Sequence, residues 1–572
     1  MNVLNRLRAA FAAATPEGGE PKAFAAAVRP AGDPKFGDYQ ANGCMAVAKS
    51  LKKNPREVAA AVAAAVDLEP LADKPEVAGP GFLNVRLRDD WLAAQLGELL
   101  RDPDCGLTAP AEPKTVVIDF SSPNVAKPMH VGHLRSTVIG DALARIFEAL
   151  GHEVVRDNHL GDWGAQFGMI LWGWRNHRDQ AAFDADPVTE LARLYRLAVA
   201  KIKDGDHDVE TATRAETAKL HAGDPENREL WRRFIPHCLK ALHAMYDRLG
   251  VRFDVELGES FYDPMLADVV ADLESKGIAE QSEGATVVFV EGMKAPFIVR
   301  KRDGAFNYGT TDLATIRYRE KTWDPDQALY VVDARQADHF KQLFAVARRW
   351  GYEKVDLRHV AFGTIMGADR RPYKTRDGDV VGLESLLDEA VAHAREVVDA
   401  NSPDIPADDR ARIAEIVGLG AVKYADLSQN RISDYVFDWS KMLAMNGNTA
   451  TYLQYAYARI QNIFRKGGTA PEAIREQAPA ILLSHPAERR LAVGVLRLPE
   501  TLELAALELK PNILTDYLFD LANAYSAFYE ECPVLKAESD ERRDSRLALC
   551  DLTARVLRRG LGILGIDVVD RM

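Results

Sequence analysis

Two histidines and a lysine stand close together in the segment FSSPNVAKPMHVGHLRST, which spans residues 120–137. His130 and His133 are separated by a valine and Gly132, and Lys127 precedes them. The segment joins a short apolar stretch to a helical pattern, so we expect the histidines near the start of a helix. Unpaired backbone N–H groups and the helix dipole attract phosphate there, and Gly132 lets the main chain approach a ligand. Two imidazoles and an ammonium group at this position would stabilise the phosphates of a nucleotide.

The four-residue pattern H-x-G-H has other interpretations. Two histidines at the start of a helix can pack against their neighbours or contact solvent, and histidines at i and i+3 can bind a metal. No third ligand is evident nearby and Lys127 disfavours a cation, so we expect no metal here. The nucleotide interpretation therefore depends on the elements that surround the segment.

A strand, a helix and a second strand are predicted around the histidines. Residues 115–120 are a buried strand, apolar residues then recur at helical spacing until Gly151, and residues 154–155 begin the next strand. This order within about 40 residues predicts a right-handed crossover in a parallel sheet. Further strands are predicted at residues 286–290, 297–299, 329–332 and 359–362.

Helical patterns dominate two other parts of the chain. Residues 173–245 have few strand signals and many charges, which predicts a helical insertion in the sheet. From about residue 383 onward strand signals disappear, and helical patterns continue to the C-terminus.

The first part of the chain alternates Ala-rich helical patterns with turns. Its start resembles a signal peptide, but the apolar stretch is weakly hydrophobic, and four apolar residues fall on one side of a helix. We therefore expect an amphipathic helix containing Val3, Leu4, Leu7 and Phe11. Residues 79–87 predict a strand after a Gly-Pro-Gly turn, and residues 102–114 predict a linker.

The composition is that of a folded chain with several domains. Its 572 residues are too many for one hydrophobic core, and 47% hydrophobic with 27% charged residues excludes a largely disordered protein. The net charge of −13 means that nucleic-acid binding must use local basic patches. No apolar run reaches the roughly 18 residues needed to cross a bilayer.

The cysteines lie far apart and form no C-x-x-C pair. This spacing predicts neither a disulfide framework nor a structural zinc site. We therefore expect a reduced, cytoplasmic chain. The five residues are Cys44, Cys105, Cys238, Cys532 and Cys550.

Residues 116–170, VVIDFSSPNVAKPMHVGHLRSTVIGDALARIFEALGHEVVRDNHLGDWGAQFGMI, closely resemble the start of the catalytic domain of arginyl-tRNA synthetases. These are class I aminoacyl-tRNA synthetases, whose HIGH signature corresponds to HVGH at residues 130–133. The SSPN-x-AK prefix and the LGDWG-x-QFG continuation narrow the resemblance from class I to the arginine enzymes. It extends to Met572, because the ending VVDRM is similar to the last residues of the family.

The resemblance implies an α/β fold with three parts. These are a Rossmann-like parallel-sheet catalytic domain with a helical insertion, a small α/β N-terminal domain and an all-helical C-terminal anticodon-binding domain. We expect boundaries at residues 1–110, 113–380 with the insertion at about 173–245, a helical connecting region at 381–445, and 446–572.

The resemblance also implies an activity, an arginine–tRNA ligase acting with ATP and Mg²⁺. Lys127, His130, Gly132 and His133 would form the catalytic signature. The second class I signature, KMSKS, is replaced by MGADRRPYKTRDGD at residues 366–379, which is similar to a degenerate K-T-R-x-G form. Lys374 and Arg376 would lie over the triphosphate, and Lys127 matches a lysine thought to compensate for the degenerate loop. Without the resemblance, this loop is a basic surface segment.

The planar guanidinium group of arginine has five donors and is best met by a carboxylate. The resemblance assigns Asp119 and Asn124 to the amino and carboxylate end of arginine. It assigns Tyr308, Asp312 and Gln336 to the side chain of arginine. Of these, Asp312 is our choice as the partner of the guanidinium group. Locally, T-T-D before an apolar helix also fits an N-cap, and Asp119 also fits a strand end. Weaker candidates are His159 and Asp162.

Two regions resemble tRNA contacts of the family. Phe82 could stack on a base of the D-loop while Asn84 forms hydrogen bonds with the edge of that base. Alternatively, Phe82 is a core residue and Asn84 lies at the end of a strand. Residues 448–466 look like the start of the anticodon-binding module, where most aromatic residues should be core and exposed ones could stack on bases. The remaining tRNA candidates are Tyr452, Tyr455, Arg459, Gln461 and Met572.

Several functional alternatives remain open at this point. Another class I ligase, of the cysteine or glutamate type, and a nucleotidyltransferase share the HIGH signature. The poor KMSKS match also allows a tRNA-binding protein that has lost catalysis. For the arginine enzyme, the family predicts a monomer whose partners are L-arginine, ATP and the tRNA for arginine, with no membrane association.

Overall fold

The computed structural model describes residues 2–367, 369–371, 373 and 381–572. The N-terminal part combines an antiparallel sheet with five helices. The helices are α1 (Val3–Ala13), α2 (Pro21–Ala26), α3 (Cys44–Leu51), α4 (Pro55–Ala65) and α5 (Asp89–Arg101). The strands are β1 (Val28–Pro30), β2 (Tyr39–Ala41), β3 (Glu76–Ala78) and β4 (Phe82–Val85), in the order β1-β2-β4-β3.

The predicted amphipathic helix at the start of the chain is confirmed. Val3, Leu4, Leu7 and Phe11 are all buried on one side of α1. Asn2 caps the helix, because its side chain accepts a hydrogen bond from the backbone of Asn5 (2.9 Å). The strand predicted within residues 79–87 is β4, at the centre of this sheet.

A five-stranded parallel sheet forms the centre of the molecule. Its strands are β5 (Thr115–Asp119), β6 (Glu153–Leu160), β7 (Val255–Gly258), and, after a second small sheet, β11 (Gln327–Tyr330) and β12 (Asp356–His359). The small sheet is antiparallel and contains β8 (Glu280–Ser282), β9 (Ala285–Val288) and β10 (Phe297–Arg300). The strand order of the parallel sheet is β12-β11-β5-β6-β7. The chain adds β6 and β7 on one side of β5 and later adds β11 and β12 on the other side. The direction of winding therefore reverses between β5 and β11.

The helices of this part pack on both sides of the parallel sheet or form the insertion. The crossover helix α6 (Val131–Ala149) joins β5 to β6 and confirms the predicted strand–helix–strand unit. The insertion between β6 and β7 consists of α7 (Ala165–His177), α8 (Gln180–Ala185), α9 (Pro187–Lys203), α10 (His207–His221) and α11 (Pro225–Leu249). The remaining helices are α12 (Glu259–Tyr262), α13 (Leu266–Ser275), α14 (Tyr308–Trp323) and α15 (Ala337–Trp350).

The C-terminal third of the chain is helical apart from one strand of a short pair. Its helices are α16 (Leu383–Asn401), α17 (Ala407–Leu427), α18 (Trp439–Met442), α19 (Ala450–Gly467), α20 (Pro471–Gln477), α21 (Pro486–Leu496), α22 (Leu498–Glu508), α23 (Asn512–Glu531) and α24 (Asp540–Ile563). The strands β13 (Ile365–Met366) and β14 (Tyr435–Val436) pair in parallel. No helix among the described residues is long and apolar enough to span a bilayer.

The strands predicted at 286–290 and 297–299 are confirmed as β9 and β10, and both belong to the small antiparallel sheet. Two other strand predictions need correction. The strand predicted at 359–362 lies earlier in the chain, at Asp356–His359, and shares only its last residue with the prediction. The absence of strands after residue 383 is wrong at β14, whose two residues are too few to produce a sequence pattern.

Candidate active site at the carboxyl edge of the parallel sheet

The reversal of winding between β5 and β11 creates a crevice at the carboxyl ends of these strands. Ligands of open α/β sheets bind at such a point, because the two loops on either side leave in opposite directions. The loop after β5 leads to α6, and the loop after β11 leads to α15. The N-terminus of α14 also lies at this edge, since α14 runs back to the start of β11.

The H-x-G-H segment begins α6 at this crevice, as predicted. His130 is the N-cap residue, and its Nδ1 accepts a hydrogen bond from the backbone N–H of Gly132 (3.1 Å). The Nδ1 of His133 in turn accepts a hydrogen bond from the backbone N–H of His130 (3.1 Å). The two rings stack with centroids 4.0 Å apart. A Cβ atom at position 132 would lie only 2.8 Å from Cε1 of His130, so glycine is required for this ring position.

Both imidazoles are neutral near pH 7. Burial lowers the pKa of His130, and the charge of Lys127 lowers it further. Burial, followed by the charges of His130 and Lys127, lowers the pKa of His133 to about 3. A neutral ring that accepts a hydrogen bond at Nδ1 carries its proton on Nε2. The pair can therefore donate two Nε2–H hydrogen bonds to a ligand without adding positive charge.

Two residues of the loop between β5 and the histidines have left-handed backbone conformations. These are Ser121 and Ser122, with φ of +68° and +46°. Positive φ is unusual for residues other than glycine, and such residues cluster at functional sites. The backbone N–H of Ser121 donates to Ser136 Oγ (2.8 Å), which in turn donates to the carbonyl of Val331 (2.7 Å). The backbone N–H of Ser122 donates to Asn158 Oδ1 (3.1 Å). These bonds fix the loop against α6, β6 and the end of β11.

Lys127 lies before the histidines and faces the helical insertion. Its Nζ lies 4.9 Å from the centroid of the Tyr195 ring on α9. The lysine also lines a cavity of about 310 Å³ between residues 125–129 and the insertion helices α9 and α11. No carboxylate of the described residues lies within 4.0 Å of its ammonium group, so the charge is not neutralised by an ion pair.

Asp119, expected to bind the amino end of arginine, forms a buried ion-pair cluster at the end of β5. Nη2 of Arg319 donates to Asp119 Oδ2 (2.6 Å), and its Nε donates to Asp157 Oδ2 (2.8 Å). Ser122 Oγ donates to the other oxygen of Asp119 (2.9 Å). Burial raises the pKa of Asp157, while Arg319 opposes this shift. Arg319 Nη1 and Asp157 Oδ1 are buried without a partner, so the cluster retains hydrogen-bonding capacity.

The residues assigned to the arginine side chain lie on α14 and α15. Asp312 Oδ2 accepts a hydrogen bond from His339 Nε2 (2.6 Å), and the Tyr308 ring centroid lies 4.8 Å from that of His339. The Tyr308 side chain is 62% exposed, and Gln336 lies exposed immediately before α15. The capping alternative for Asp312 is wrong, because α14 begins at Tyr308 and Asp312 lies in its second turn. The structure therefore brings Tyr308, Asp312 and His339 together at the crevice.

Asn124 lies in the loop between β5 and the histidines. Its side-chain oxygen accepts from the backbone N–H of Ala126 (3.2 Å), and its backbone pairs with that of Gly161 after β6. This pairing places the residue beside the carboxyl end of β6, at the same edge as the histidine pair.

His159 and Asp162 lie at the carboxyl end of β6. The ring of His159 packs 5.4 Å from that of Tyr262, and its Nδ1 is buried without a hydrogen bond. Both oxygens of Asp162 bind Ser260, through its backbone N–H (2.9 Å) and its hydroxyl (2.5 Å). Burial raises the pKa of Asp162, and the Ser260 hydrogen bonds oppose this shift. His159 therefore has a free acceptor or donor position, whereas Asp162 is held by the protein.

Lys374 and Arg376 of the KMSKS-like segment lie outside the described residues. The chain before them is bonded to β13, and the chain after them is bonded to the start of α6. The backbone N–H of Tyr373 donates to β13 (3.0 Å), and the carbonyl of Val381 accepts from the backbone N–H of Val131 (3.0 Å), the first residue of α6.

The described residues contain no group of three or more His, Cys, Asp or Glu side chains placed to hold a metal ion. The five cysteines are buried and form no disulfide bonds with one another.

The tRNA candidates in the N-terminal part lie on β4. Phe82 is half-buried, whereas Asn84 is 8% exposed and its side-chain oxygen accepts from Gln40 Nε2 (2.8 Å). The asparagine is therefore already bonded across the sheet to β2, where Gln40 lies opposite it.

The tRNA candidates in the C-terminal part lie on α19 and at the end of the chain. The Tyr452 hydroxyl lies 3.1 Å from both Asn523 Oδ1 and Ser526 Oγ, so this residue bonds to α23. Tyr455 is exposed, Gln461 is half-buried and Met572 packs against α16 and α17. The Arg459 guanidinium lies 3.8 Å from the centroid of the exposed Tyr529 ring.

Sequence reasoning missed several residues of this site. The first is His339, which holds Asp312, and the second is Arg319, which joins Asp119 to Asp157. Tyr195 and the left-handed serines were also missed. The SSPN motif was a signal for the serines, but nothing in the sequence linked α9 to Lys127.

The crevice, the histidine pair and the group formed by Tyr308, Asp312 and His339 together define a nucleotide-binding enzyme with a Rossmann-like sheet. Three family models match the chain. They are described as the arginyl tRNA synthetase N terminal domain (residues 2–87), tRNA synthetases class I (R), catalytic domain (96–439), and the DALR anticodon binding domain (453–572).

Relatives match over the full length. The arginine–tRNA ligase of Rhodopirellula baltica is 44% identical, with 100% of each chain covered. That of Escherichia fergusonii is 46% identical, with 99% of this chain and 98% of the relative covered. The arginyl-tRNA synthetase structure from Thermus thermophilus has a TM-score of 0.84 at 27% identity, covering 99% of this chain and 100% of that one. The one from Plasmodium falciparum has a TM-score of 0.83 at 28% identity, covering 100% and 98%. This chain belongs to the arginyl-tRNA synthetase family of class I.

Proposed function

We propose that the chain is an arginine–tRNA ligase that activates L-arginine with ATP and transfers it to the 3′ end of its cognate tRNA. The observation that carries the proposal is the shared crevice. The histidine pair at the start of α6 and the Tyr308–Asp312–His339 group meet at the carboxyl edge of one parallel sheet. A nucleotide triphosphate and a cationic amino acid would be held side by side there.

The proposed reaction has two steps, neither of which needs a covalent intermediate with the protein. In the first, a carboxylate oxygen of arginine attacks the α-phosphorus of ATP, the bond to the β-phosphate oxygen breaks, and pyrophosphate leaves. In the second, a ribose hydroxyl at the 3′ end of tRNA loses its proton and attacks the acyl carbon, and AMP leaves with the electron pair. The protein contributes positioning and charge stabilisation.

Each part of the site has a role in the first step. The Nε2–H groups of His130 and His133 donate to phosphate oxygens, and Lys127 supplies a positive charge as negative charge moves toward pyrophosphate. Gly132 leaves space for the His130 ring. The family resemblance assigns Lys374 and Arg376, which lie outside the described residues, to the triphosphate as well.

Arginine lies along the crevice from β5 to α14. Asp312 pairs with the guanidinium group, since a carboxylate can accept two parallel hydrogen bonds from it. His339 orients Asp312, and Tyr308 forms a wall of the pocket. The assignments for the rest of the amino acid are Gln336 for the side chain, and Asp119 and Asn124 for the amino and carboxylate end. His159 is a further candidate for contact with arginine.

The tRNA contacts are distributed between the two ends of the chain. Phe82 and Asn84 in residues 1–110 contact the D-loop, and residues 446–572 bind the anticodon. In the second region, exposed Tyr455 and the Arg459–Tyr529 pair are suited to stacking on bases. The other proposed contacts are Tyr452 and Met572. The catalytic domain spans 113–380, with its insertion at about 173–245, and residues 381–445 connect it to the anticodon-binding helices.

Three further properties complete the proposal. The enzyme is cytoplasmic and monomeric, and Mg²⁺ enters the site bound to ATP.

The test is ATP–pyrophosphate exchange with each of the twenty amino acids, in the presence of tRNA. We expect strong exchange with arginine and discrimination of about 10⁴-fold against lysine, because a site built around a carboxylate leaves it poorly paired with the wrong substrate. Exchange with cysteine or glutamate instead would assign another class I ligase. Binding of tRNA without any exchange would indicate a protein that has lost catalysis.

A further inference from the structure

We infer that Tyr195, on helix α9 of the insertion, is a positioning residue that holds Lys127 beside the histidine pair without neutralising its charge. This inference rests on the proposed function, since it concerns how the phosphate-binding lysine is held before ATP arrives. It gives the helical insertion a direct part in the chemistry of the crevice.

The first observation is the contact itself. The Lys127 ammonium lies 4.9 Å from the centroid of the Tyr195 ring, within the distance at which a cation is attracted to an aromatic face. The ring is half-buried and packs against the main hydrophobic core, which restricts its movement. The lysine, by contrast, lies in a loop between two elements. The contact therefore fixes a flexible side chain against a rigid surface.

The second observation is the kind of partner. Among the described residues, no carboxylate lies within 4.0 Å of Lys127 Nζ, although Glu384 at the start of α16 lines the same cavity. A carboxylate partner would compete with the phosphates of ATP for the ammonium group. An aromatic face attracts the cation through its quadrupole and carries no net charge. The positive charge therefore remains available for the phosphates.

The third observation is the position of the held charge. Lys127 lies close enough to both imidazoles for its charge to lower the pKa of His130 and of His133. Both rings are neutral donors, and Arg135 of the same segment is paired with Asp426 (3.1 Å). Among the described residues of this segment, Lys127 is therefore the cation that lacks a carboxylate partner, and its placement affects how much positive charge the segment offers to a triphosphate.

The test compares arginine-dependent ATP–pyrophosphate exchange in wild type, Tyr195→Phe and Tyr195→Leu. Phenylalanine keeps the aromatic face that contacts the ammonium group and loses only the hydroxyl, so we expect kcat within about twofold of wild type. Leucine removes the aromatic face, and we expect kcat to fall about 3- to 30-fold while the KM for arginine stays nearly constant. Tyr352→Leu, at a half-buried tyrosine packed against Trp350, is the matched control.

A double-mutant cycle separates positioning from a general packing effect. If Tyr195 acts through Lys127, then Tyr195→Leu should have little further effect in a Lys127→Ala background. An equal loss from Tyr195→Leu in both backgrounds would show that the ring supports only the insertion, and would overturn the inference. So would a Tyr195→Leu variant that is as active as wild type.

The outcome also distinguishes this inference from the proposed function. A wild type with no arginine-dependent exchange would contradict the function itself. Equilibrium dialysis with labelled ATP, applied to the same variants, would still measure whether Tyr195 and Lys127 are coupled. Additive losses of ATP affinity there would overturn the role of Tyr195 independently.

Discussion

At the residue scale, the site depends on polar groups whose charge states are set by their surroundings. Burial keeps the imidazoles of His130 and His133 neutral, whereas Lys127 has no carboxylate partner among the described residues. Within residues 127–133, the two imidazoles can thus donate hydrogen bonds, while Lys127 supplies the positive charge. Neutral donors make phosphate binding independent of pH around neutrality, which a protonated histidine with an ordinary pKa would not.

The first prediction concerns the titration of His133. Its folded pKa of about 3 lies below the ordinary value of 6.5, so the unfolded chain binds the proton more readily between these values. The neutral ring therefore favours the fold above pH 6.5, and this contribution is lost as the pH falls toward 3. Hydrogen–deuterium exchange at the imidazole C2 position, followed by mass spectrometry, should show no midpoint for His133 between pH 5 and 8. The denatured protein provides the control, and a midpoint near 6.5 in the folded enzyme would contradict the prediction.

The second prediction concerns Lys127. Lys127→Ala should slow adenylate formation by about 100-fold, because it removes a charge that acts as pyrophosphate leaves. Binding of tRNA, measured by filter retention, should change little, since tRNA contacts are proposed elsewhere. Equal losses in both measurements would argue against a phosphate role.

The third prediction concerns Asp312. Asp312→Asn should raise the KM for arginine by about 10- to 100-fold, because it replaces a charged partner of the guanidinium group by a neutral one. The KM for ATP should be nearly unchanged in the exchange assay. Asp268→Asn, at an exposed aspartate on α13, is the matched control. A variant that affects ATP rather than arginine would place Asp312 outside the amino-acid pocket.

At the scale of elements, the start of α6 carries the proposed nucleotide site. The reciprocal bonds between the two histidines satisfy backbone N–H groups that a helix end leaves unpaired. Left-handed backbone at Ser121 and Ser122 turns the chain from β5 toward this helix. The local sequence predicted the strand, the helix and the histidines, because apolar spacing and glycine are local signals. It did not predict the serine conformations, which depend on partners in α6, β6 and β11.

The fourth prediction concerns Gly132 in this element. A Cβ atom there would come within 2.8–2.9 Å of the His130 ring, so Gly132→Ala must displace the imidazole and break its hydrogen bond. We expect exchange activity to fall by at least about tenfold, because catalysis is sensitive to displacements of this size. Gly97→Ala in α5, where the added methyl group meets nothing within 4 Å, should retain full activity. Wild-type activity in Gly132→Ala would show that the His130 ring position is unimportant.

At the scale of the whole molecule, the N-terminal part is attached to the C-terminal helices by partly buried polar and charged groups. Arg489 on α21 forms hydrogen bonds with both oxygens of Asp38 (2.9 and 2.8 Å) and with Asp89 (2.7 Å). The Tyr39 hydroxyl donates to Glu500 across the same interface (2.9 Å). The two parts proposed to contact tRNA are therefore held in one arrangement, which a long, rigid RNA requires if it is to reach both.

The fifth prediction tests this interface. Arg489→Met leaves the partly buried Asp38 without its cation, so we expect the loss of stability to exceed the ~1 kcal/mol of an exposed ion pair. We expect the chain to become more sensitive to proteolysis within residues 102–114. This segment joins α5 to β5 and contains no helix or strand. Arg542→Met removes an exposed pair with Glu538 and should have little effect. Equal proteolysis of both variants would mean that the Arg489 pair does not hold the interface.

The amino-acid sequence by itself determined the family, the strand–helix–strand unit around the histidines and the helical C-terminal third of the chain. These features follow from signals within short segments, namely the spacing of apolar residues and a motif of contiguous residues. Tertiary structure alone decided which partner each polar side chain has. Arg319 reaches Asp119 across 200 positions, His339 reaches Asp312 across 27, and Tyr195 on the insertion reaches Lys127. Such pairs form because the sheet and its insertion bring distant segments to one edge, and no local pattern encodes that proximity.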